Sequence, residues 1–175
     1  HLKWLKSNFK NVLIKEINLS NIFKVFKKTM NKYDSDLAFA NSRSRLRMIT
    51  LYQIAQSNKG IVVGTGNKIE DFGVGFFTKY GDGGVDISPI ADCTKTQVWE
   101  MGVKLSIIKN IIDAKPTDGL WDDNRNDEDQ LGLTYKQIEK AMNNSSNKNY
   151  KKYLKIRKSN LHKMKPIPVC KFKDK

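Results

Sequence analysis

Apolar residues recur at helical spacing from the first positions of the chain. Leu2, Leu5 and Phe9 share one face, so the chain opens inside or at the end of a helix. Residues 12–19 (VLIKEINL) read as a strand that ends near Ser20. Ser20 is then placed to cap a short amphipathic helix carrying Ile22, Phe23 and Phe26. Residues 36–55 carry Leu37, Met48, Leu51, Tyr52 and Ala55 as the apolar set of a long helix. Ile61, Val62 and Val63 form a short apolar run leading into Gly64, the pattern of a strand covered on both faces. Residues 73–84 are glycine-rich and polar and read as a loop. A helix is expected over residues 94–105, with a second short one reaching Ile112 before Pro116. Residues 117–130 read as a polar, acidic loop. Thr134 and Gln137 have capping-box spacing for a helix running to Met142. Another helix covers residues 150–161, and the tail around Pro166 and Pro168 is extended. Strand and helix alternate, which predicts an α/β fold with a parallel sheet and helices on both faces. In such sheets ligands bind beyond the carboxyl ends of the strands, and residues 64–70 sit at such an end.

Composition narrows the class. With 39% hydrophobic residues and 29% charged over 175 positions, the chain can bury a core of its own and is not wholly disordered. No apolar run approaches the roughly 20 residues that cross a bilayer. Cys93 and Cys170 are too few for a disulfide scaffold, and both read as structural; His1 and His162 are too few for a histidine-rich metal site. The first residue is His1 rather than Met, and no charged-then-apolar leader follows it, so the start of the protein is expected to lie upstream.

The charge is strongly positive: 32 Lys and Arg against 18 Asp and Glu, or +14. That balance suits polyanionic partners: nucleic acid, an anionic membrane surface or phosphorylated ligands. But 27 of the 32 cations are Lys, and Asn and Ile are abundant at 16 each, the bias of an AT-rich coding sequence. The charge is also uneven. Residues 140–175 hold twelve cations and one acid, whereas residues 113–129 hold seven acids and two bases, a loop unsuited to lying against DNA.

Five places along the chain could carry chemistry. In IVVGTGNKIED, small residues after a strand let a nucleotide approach the backbone. Thr65 can bond a base or sugar there, and Glu70 suits Mg2+, which favours hard oxygen ligands. An ordinary turn with solvated acids has the same composition. In GFFTKYGDGGVD, four glycines alternate with Lys79, Asp82 and Asp86, as in a loop that closes over a charged ligand, or in a plain hairpin. In SRSRLRM, Arg43 and Arg47 share a helix face while Arg45 points elsewhere. Arginine suits bidentate carboxylate or phosphate recognition, although a solvated basic face has the same spacing. Finally, Lys95 sits in the first turn of its helix, where a cation opposes the helix dipole unless it meets an anion. Thr117 follows Pro116 at the start of the acidic loop, and His162 with Lys163 lies in the basic tail.

Taken in order, GTGNKIEDFGVGFFTKYGDGGVDISPIADCTK, PTDGLWDDNRNDEDQLG and the terminal HKMKPIPVC resemble ammonia-dependent NAD synthetase. The resemblance runs over most of the chain. It implies an ATP pyrophosphatase fold: α/β, a doubly wound parallel sheet, Rossmann-like, of the adenine nucleotide alpha-hydrolase type, with residues 1–175 forming the C-terminal two-thirds of one domain. It implies a reaction joining deamido-NAD, ATP and ammonia into NAD, AMP and pyrophosphate, through an NAD-adenylate. By the same resemblance Arg45, Lys79, Asp86, His162 and Lys163 contact deamido-NAD. Thr65, Lys95 and Thr117 bind ATP, Glu70 holds Mg2+, and Asp82 lies near the chemistry, where it could handle ammonium. A homodimer in the cytoplasm, with no nucleic-acid or membrane partner, is expected.

The resemblance departs at one point. The family's phosphate-binding loop, Ser-Gly-Gly-x-Asp-Ser, does not occur in this sequence. The chain is therefore expected to be N-terminally truncated and to show little or no synthetase activity alone. Competing readings are another ATP pyrophosphatase of the GMP synthetase or tRNA-thiolation type, a basic nucleic-acid-binding module, and an inactive remnant.

Overall fold

A computed structural model describes residues 2–172. Its helices are α1 (Leu2–Asn8), α2 (Ser20–Thr29), α3 (Asp36–Ser57), α4 (Lys95–Lys104), α5 (Lys109–Ile112), α6 (Asp127–Leu131), α7 (Tyr135–Asn143) and α8 (Tyr150–Met164). One turn of 3-10 helix (Asn31–Tyr33) and a π-helical segment (Lys68–Val74) complete the regular structure. The helical expectations hold, and the capping box expected of Thr134 and Gln137 forms, with a second at the head of α4. Thr94 and Thr134 each close a full capping box, with Gln97 and Gln137 as the returning side chains. Ser20 does not cap α2: it is the helix's first residue, and Leu19 precedes it without a side-chain bond.

The strands differ from expectation. Among the described residues no strand runs, and the doubly wound sheet is reduced to one parallel bridge, Val63 to Ile87. Residues 12–19 take no regular form and make no bridge, with Leu13 89% exposed. A strand is stable only against a neighbour that takes up its backbone groups, and among the described residues none pairs with this segment. Residues 61–63 are not covered on both faces either. Val62 is buried, whereas Ile61 and Val63 are 60% and 53% exposed. Bonds from Asp86 N to Val62 O (2.9 Å) and from Gly64 N to Ile87 O (2.7 Å) hold this piece beside residues 86–87.

The core lies in the second half of the chain. Ile69 and Val74 from the π segment pack against Leu131, Leu133, Tyr135, Ile138 and Ala141, with Tyr153 of α8 closing the cluster. The π segment is what brings Glu70 to this core. The Asn67 side chain accepts from both Ile69 N and Glu70 N, and Lys68 N donates to Cys93 O at 2.8 Å. Gly75 ends the segment at φ +66, a left-handed conformation that glycine adopts without steric cost. A wide π turn is a frequent accompaniment of functional sites. In the first half, α2 and α3 pack through edge-to-face contacts of Phe23 and Phe26 with Phe39.

Candidate functional site: two adjoining clefts

The first cleft, about 590 Å3, opens where residues 62–65 end. Thr65, Glu70, Lys95, Thr117 and Asp127 all line it. Lys95, in the first turn of α4, meets the anion its position calls for: its Nζ lies 2.8 Å from Glu70 Oε1, and both side chains are mostly buried. The ammonium also sits 4.8 Å above the ring of Tyr135. Tyr135 is fully buried, and its hydroxyl lies 2.7 Å from Glu70 Oε1 and 2.9 Å from Asp127 Oδ2. Burial and the two neighbouring acids raise the phenol far above its ordinary pKa, so it stays a donor. Burial likewise raises Asp127, against the pull of the Tyr135 hydrogen bond. A phenol has one proton for two carboxylates, so it donates to one of them at a time. Asp127 Oδ1 is buried with no partner. Two carboxylates of hard oxygen, one with an unpaired atom, suit a small divalent cation that keeps waters and phosphate oxygens as its remaining ligands.

The second cleft, about 410 Å3, is lined by Arg45, Lys79, His162 and Lys163, with Asp118, Trp121 and Asn160 among the other walls. The Gly-rich loop and α8 build it together. Lys163 Nζ donates to Phe77 O at 2.7 Å, Lys79 Nζ to His162 O at 3.2 Å, and Arg45 Nε to Lys79 O at 3.3 Å. Burial lowers the Lys163 pKa, opposed by Asp82. Three lysine and arginine side chains here give the cavity a positive wall suited to a polyanion.

Asp82 lies where the clefts meet and lines both, as does Phe76. Its Oδ1 accepts from Ser44 Oγ at 2.8 Å and from Thr78 N at 2.9 Å, and its own N–H donates back to Ser44 Oγ. Buried Thr78 is fixed in turn by Asn41, 2.6 Å away. Gly81 is obligatory in this lock, because a Cβ there would come within 2.3 Å of Ser44 Oγ.

Of the residues singled out in the sequence, Thr65, Lys95, Thr117 and Glu70 share the first cleft. Arg45, Lys79, His162 and Lys163 share the second, and Asp82 joins the two. Asp86 stands apart from both. Its carboxylate accepts from Val62 N at 2.7 Å and from the Tyr52 hydroxyl at 3.3 Å, which ties α3 to the extended segment. Arg43 and Arg47 do not present a solvated face. They grip the acidic loop, donating to the carbonyls of Leu120, Asp118 and Gly119 at 2.7–3.0 Å, with Arg43 also paired to Asp122. The sequence reading missed Tyr135, Asp127 and Ser44. The local trace of Asp127 was α6 and its cap, since Asn126 and Asp129 form a capping box inside what read as loop, while Tyr135 opens α7 just after the capping Thr134.

Residues 5–173 match the family described as NAD synthase. The chain is 44% identical to the NH3-dependent NAD+ synthetase of Methanococcoides burtonii, over 73% of this chain and 49% of that one. It is 38% identical to the enzyme of the same name from Thermoplasma volcanium, over 84% and 62%. The chain thus spans about half to two thirds of the length of these relatives. Among solved structures, NMN synthetase from Francisella tularensis superposes with a TM-score of 0.88 at 32% identity, over 98% of this chain and 71% of that one.

Proposed function

From the premise that the chain belongs to the NAD synthase family, we propose that it carries the substrate-binding part of an enzyme that amidates deamido-NAD. ATP and ammonia are consumed, and NAD, AMP and pyrophosphate are formed. The observation that carries this reading is Asp82 at the junction of a cationic cleft and a cleft lined by Lys95 and Glu70. The dinucleotide occupies the second, cationic cleft, with its phosphates against Arg45, Lys79 and Lys163. ATP occupies the first cleft, with Thr65 and Thr117 on its adenosine side and Lys95 toward its phosphates. The nicotinate carboxylate, delivered at the junction, attacks the α-phosphorus, and pyrophosphate leaves. Ammonia then attacks the acyl carbon, and AMP departs. Lys95 offsets the charge that develops on the phosphoryl oxygens. Asp82, held by Ser44 and Thr78, faces the incoming nitrogen and takes the proton it sheds. Glu70 and Asp127, which line the same cleft, would hold a Mg2+ ion, which supplies charge neutralisation on the triphosphate when bound. The Gly-rich loop and the acidic loop gripped by Arg43 and Arg47 exclude water, which would otherwise hydrolyse the acyl-adenylate. In this reading the protein is a homodimer, and its parallel sheet is completed by strands pairing beside residues 61–63 and 86–88.

Calorimetric titration of the 175-residue chain tests the assignment. Lys79→Ala is expected to weaken deamido-NAD binding by about tenfold and to leave ATP unchanged; Lys95→Ala is expected to do the reverse. Absence of binding by either nucleotide overturns the reading. The likeness to an NMN synthetase supports a second substrate, nicotinate mononucleotide, in the same cleft. Tighter binding of the mononucleotide than of deamido-NAD would decide for it.

A further inference from the structure

Tyr135 touches neither cleft surface, yet it sits behind the one ion pair in the first cleft. Three observations converge on it. It is fully buried, and Trp99 packs edge-on against its ring at 6.1 Å, which fixes the ring plane. Its hydroxyl reaches Glu70 Oε1 at 2.7 Å, the same oxygen that pairs with Lys95. The far side of that hydroxyl is held at 2.9 Å by Asp127, whose residue is only 6% exposed. Asp127 is itself anchored: its N–H donates to Pro116 O at 3.0 Å, which ties α6 to the segment bearing Thr117. Tyr135 N donates to Glu128 Oε1 at 2.9 Å, so the tyrosine is fastened to α6 at both ends.

A carboxylate such as Glu70 can rotate about three side-chain torsions. One lysine alone would not hold its plane. A rigid phenol donating to the same oxygen does, and the ring also places a π face under the lysine ammonium. We propose that Tyr135 is a positioning residue that locks the Lys95–Glu70 pair at the wall of the first cleft, with Asp127 as its brace. That the cleft holds a nucleotide rests on the function proposed above; the locking of the ion pair does not.

The test separates the two. Tyr135→Phe and Asp127→Ala are made in the full chain, with circular dichroism and thermal melting confirming the fold. The rate at which an acetylating reagent modifies Lys95 is then followed by peptide mass spectrometry, with the exposed Lys140 as internal reference. Tyr135→Phe is expected to raise the Lys95 rate several-fold over wild type, and Asp127→Ala to raise it in the same direction. Asp127→Asn, which keeps a side chain of the same shape able to hydrogen-bond the phenol, is expected to stay near wild type. If Tyr135→Phe does not fold, the Asp127→Ala and Asp127→Asn pair decides. An unchanged Lys95 rate in a folded Tyr135→Phe or Asp127→Ala, or equal rates in the two Asp127 variants, overturns the proposal. Mn2+–ATP titration supplies the second readout: Tyr135→Phe is expected to weaken binding about tenfold, as loss of a group behind a ligand usually does. Failure of the wild-type chain to bind Mn2+–ATP counts against the proposed function, while the acetylation rates still decide the role of Tyr135.

Discussion

The two halves of the molecule are built differently. From the π segment onward, Ile69, Val74, Tyr135, Ile138 and Ala141 are all at or below 1% exposed, and the ion pair of the first cleft rests on them. In residues 2–63, by contrast, Leu13, Ile17, Ile22, Val25, Leu37, Ile49, Leu51, Ile61 and Val63 each expose more than half their surface. The first half reaches the site through Val62 and Val63, which line the first cleft, and through α3, which sends Ser44 and Arg45 to the Gly-rich loop and Arg43 and Arg47 to the acidic loop. Local stability follows buried contact, so the half that holds the Lys95–Glu70 pair is the rigid one and the half that clasps the loops is the yielding one.

Substitutions sharpen that contrast, and the largest effect is expected in the core. Ile138→Ala should cost about 3–4 kcal/mol in denaturant unfolding, since a fully buried side chain loses both its transfer energy and its packing. The matched Val25→Ala, at a position 66% exposed, should stay within about 0.5 kcal/mol. Equal costs would erase the distinction between the halves. Next comes Lys95→Met, which leaves Glu70 without its cation in a mostly buried setting. A loss of about 2 kcal/mol is expected at pH 7, recovered in part by the double variant with Glu70→Gln.

The third effect has the opposite sign. Burial and the neighbouring Glu70 and Asp82 raise Asp71 to a pKa of about 6, from 3.8. The folded state therefore holds this proton more tightly than the unfolded chain does. Stability falls as the pH rises from about 4 to about 6, and the loss is complete above that window. Asp71→Asn should add about 1–2 kcal/mol at pH 8, a figure reduced for the side chain's partial exposure, and nothing at pH 4. A gain that does not depend on pH would show that charge is not the cause. The smallest effect is expected at Thr134→Ala, which removes the bond from Gln137 N at the head of α7 and should cost about 1 kcal/mol by thermal melting.

Much of the helical architecture was legible along the chain, because its causes are local. The spacing in α3, the capping box of α7 and the proline after α5 each act within a few residues. Lys95 could be read as a cation in need of an anion for the same reason. The misreadings concern partners far away in sequence. Residues 12–19 have the composition of a strand but nothing beside them to pair with, and Asp86 has the look of a loop acid but serves the backbone of Val62. Arg43 and Arg47 grip carbonyls more than 70 positions away, which no helical spacing can disclose.

By itself the sequence determined where helices start, where the backbone must turn on glycine, and which side chains bring the charge a phosphorylated ligand needs. These are properties of neighbouring residues and of side-chain chemistry. Only the tertiary structure decided that Glu70, Lys95, Tyr135 and Asp127 form one unit, and that Asp82 is shared by two clefts. Glu70 and Tyr135 stand 65 positions apart. Their contact exists because a π turn and two helices bury the same apolar cluster, and the polar groups on those elements must then find one another away from water.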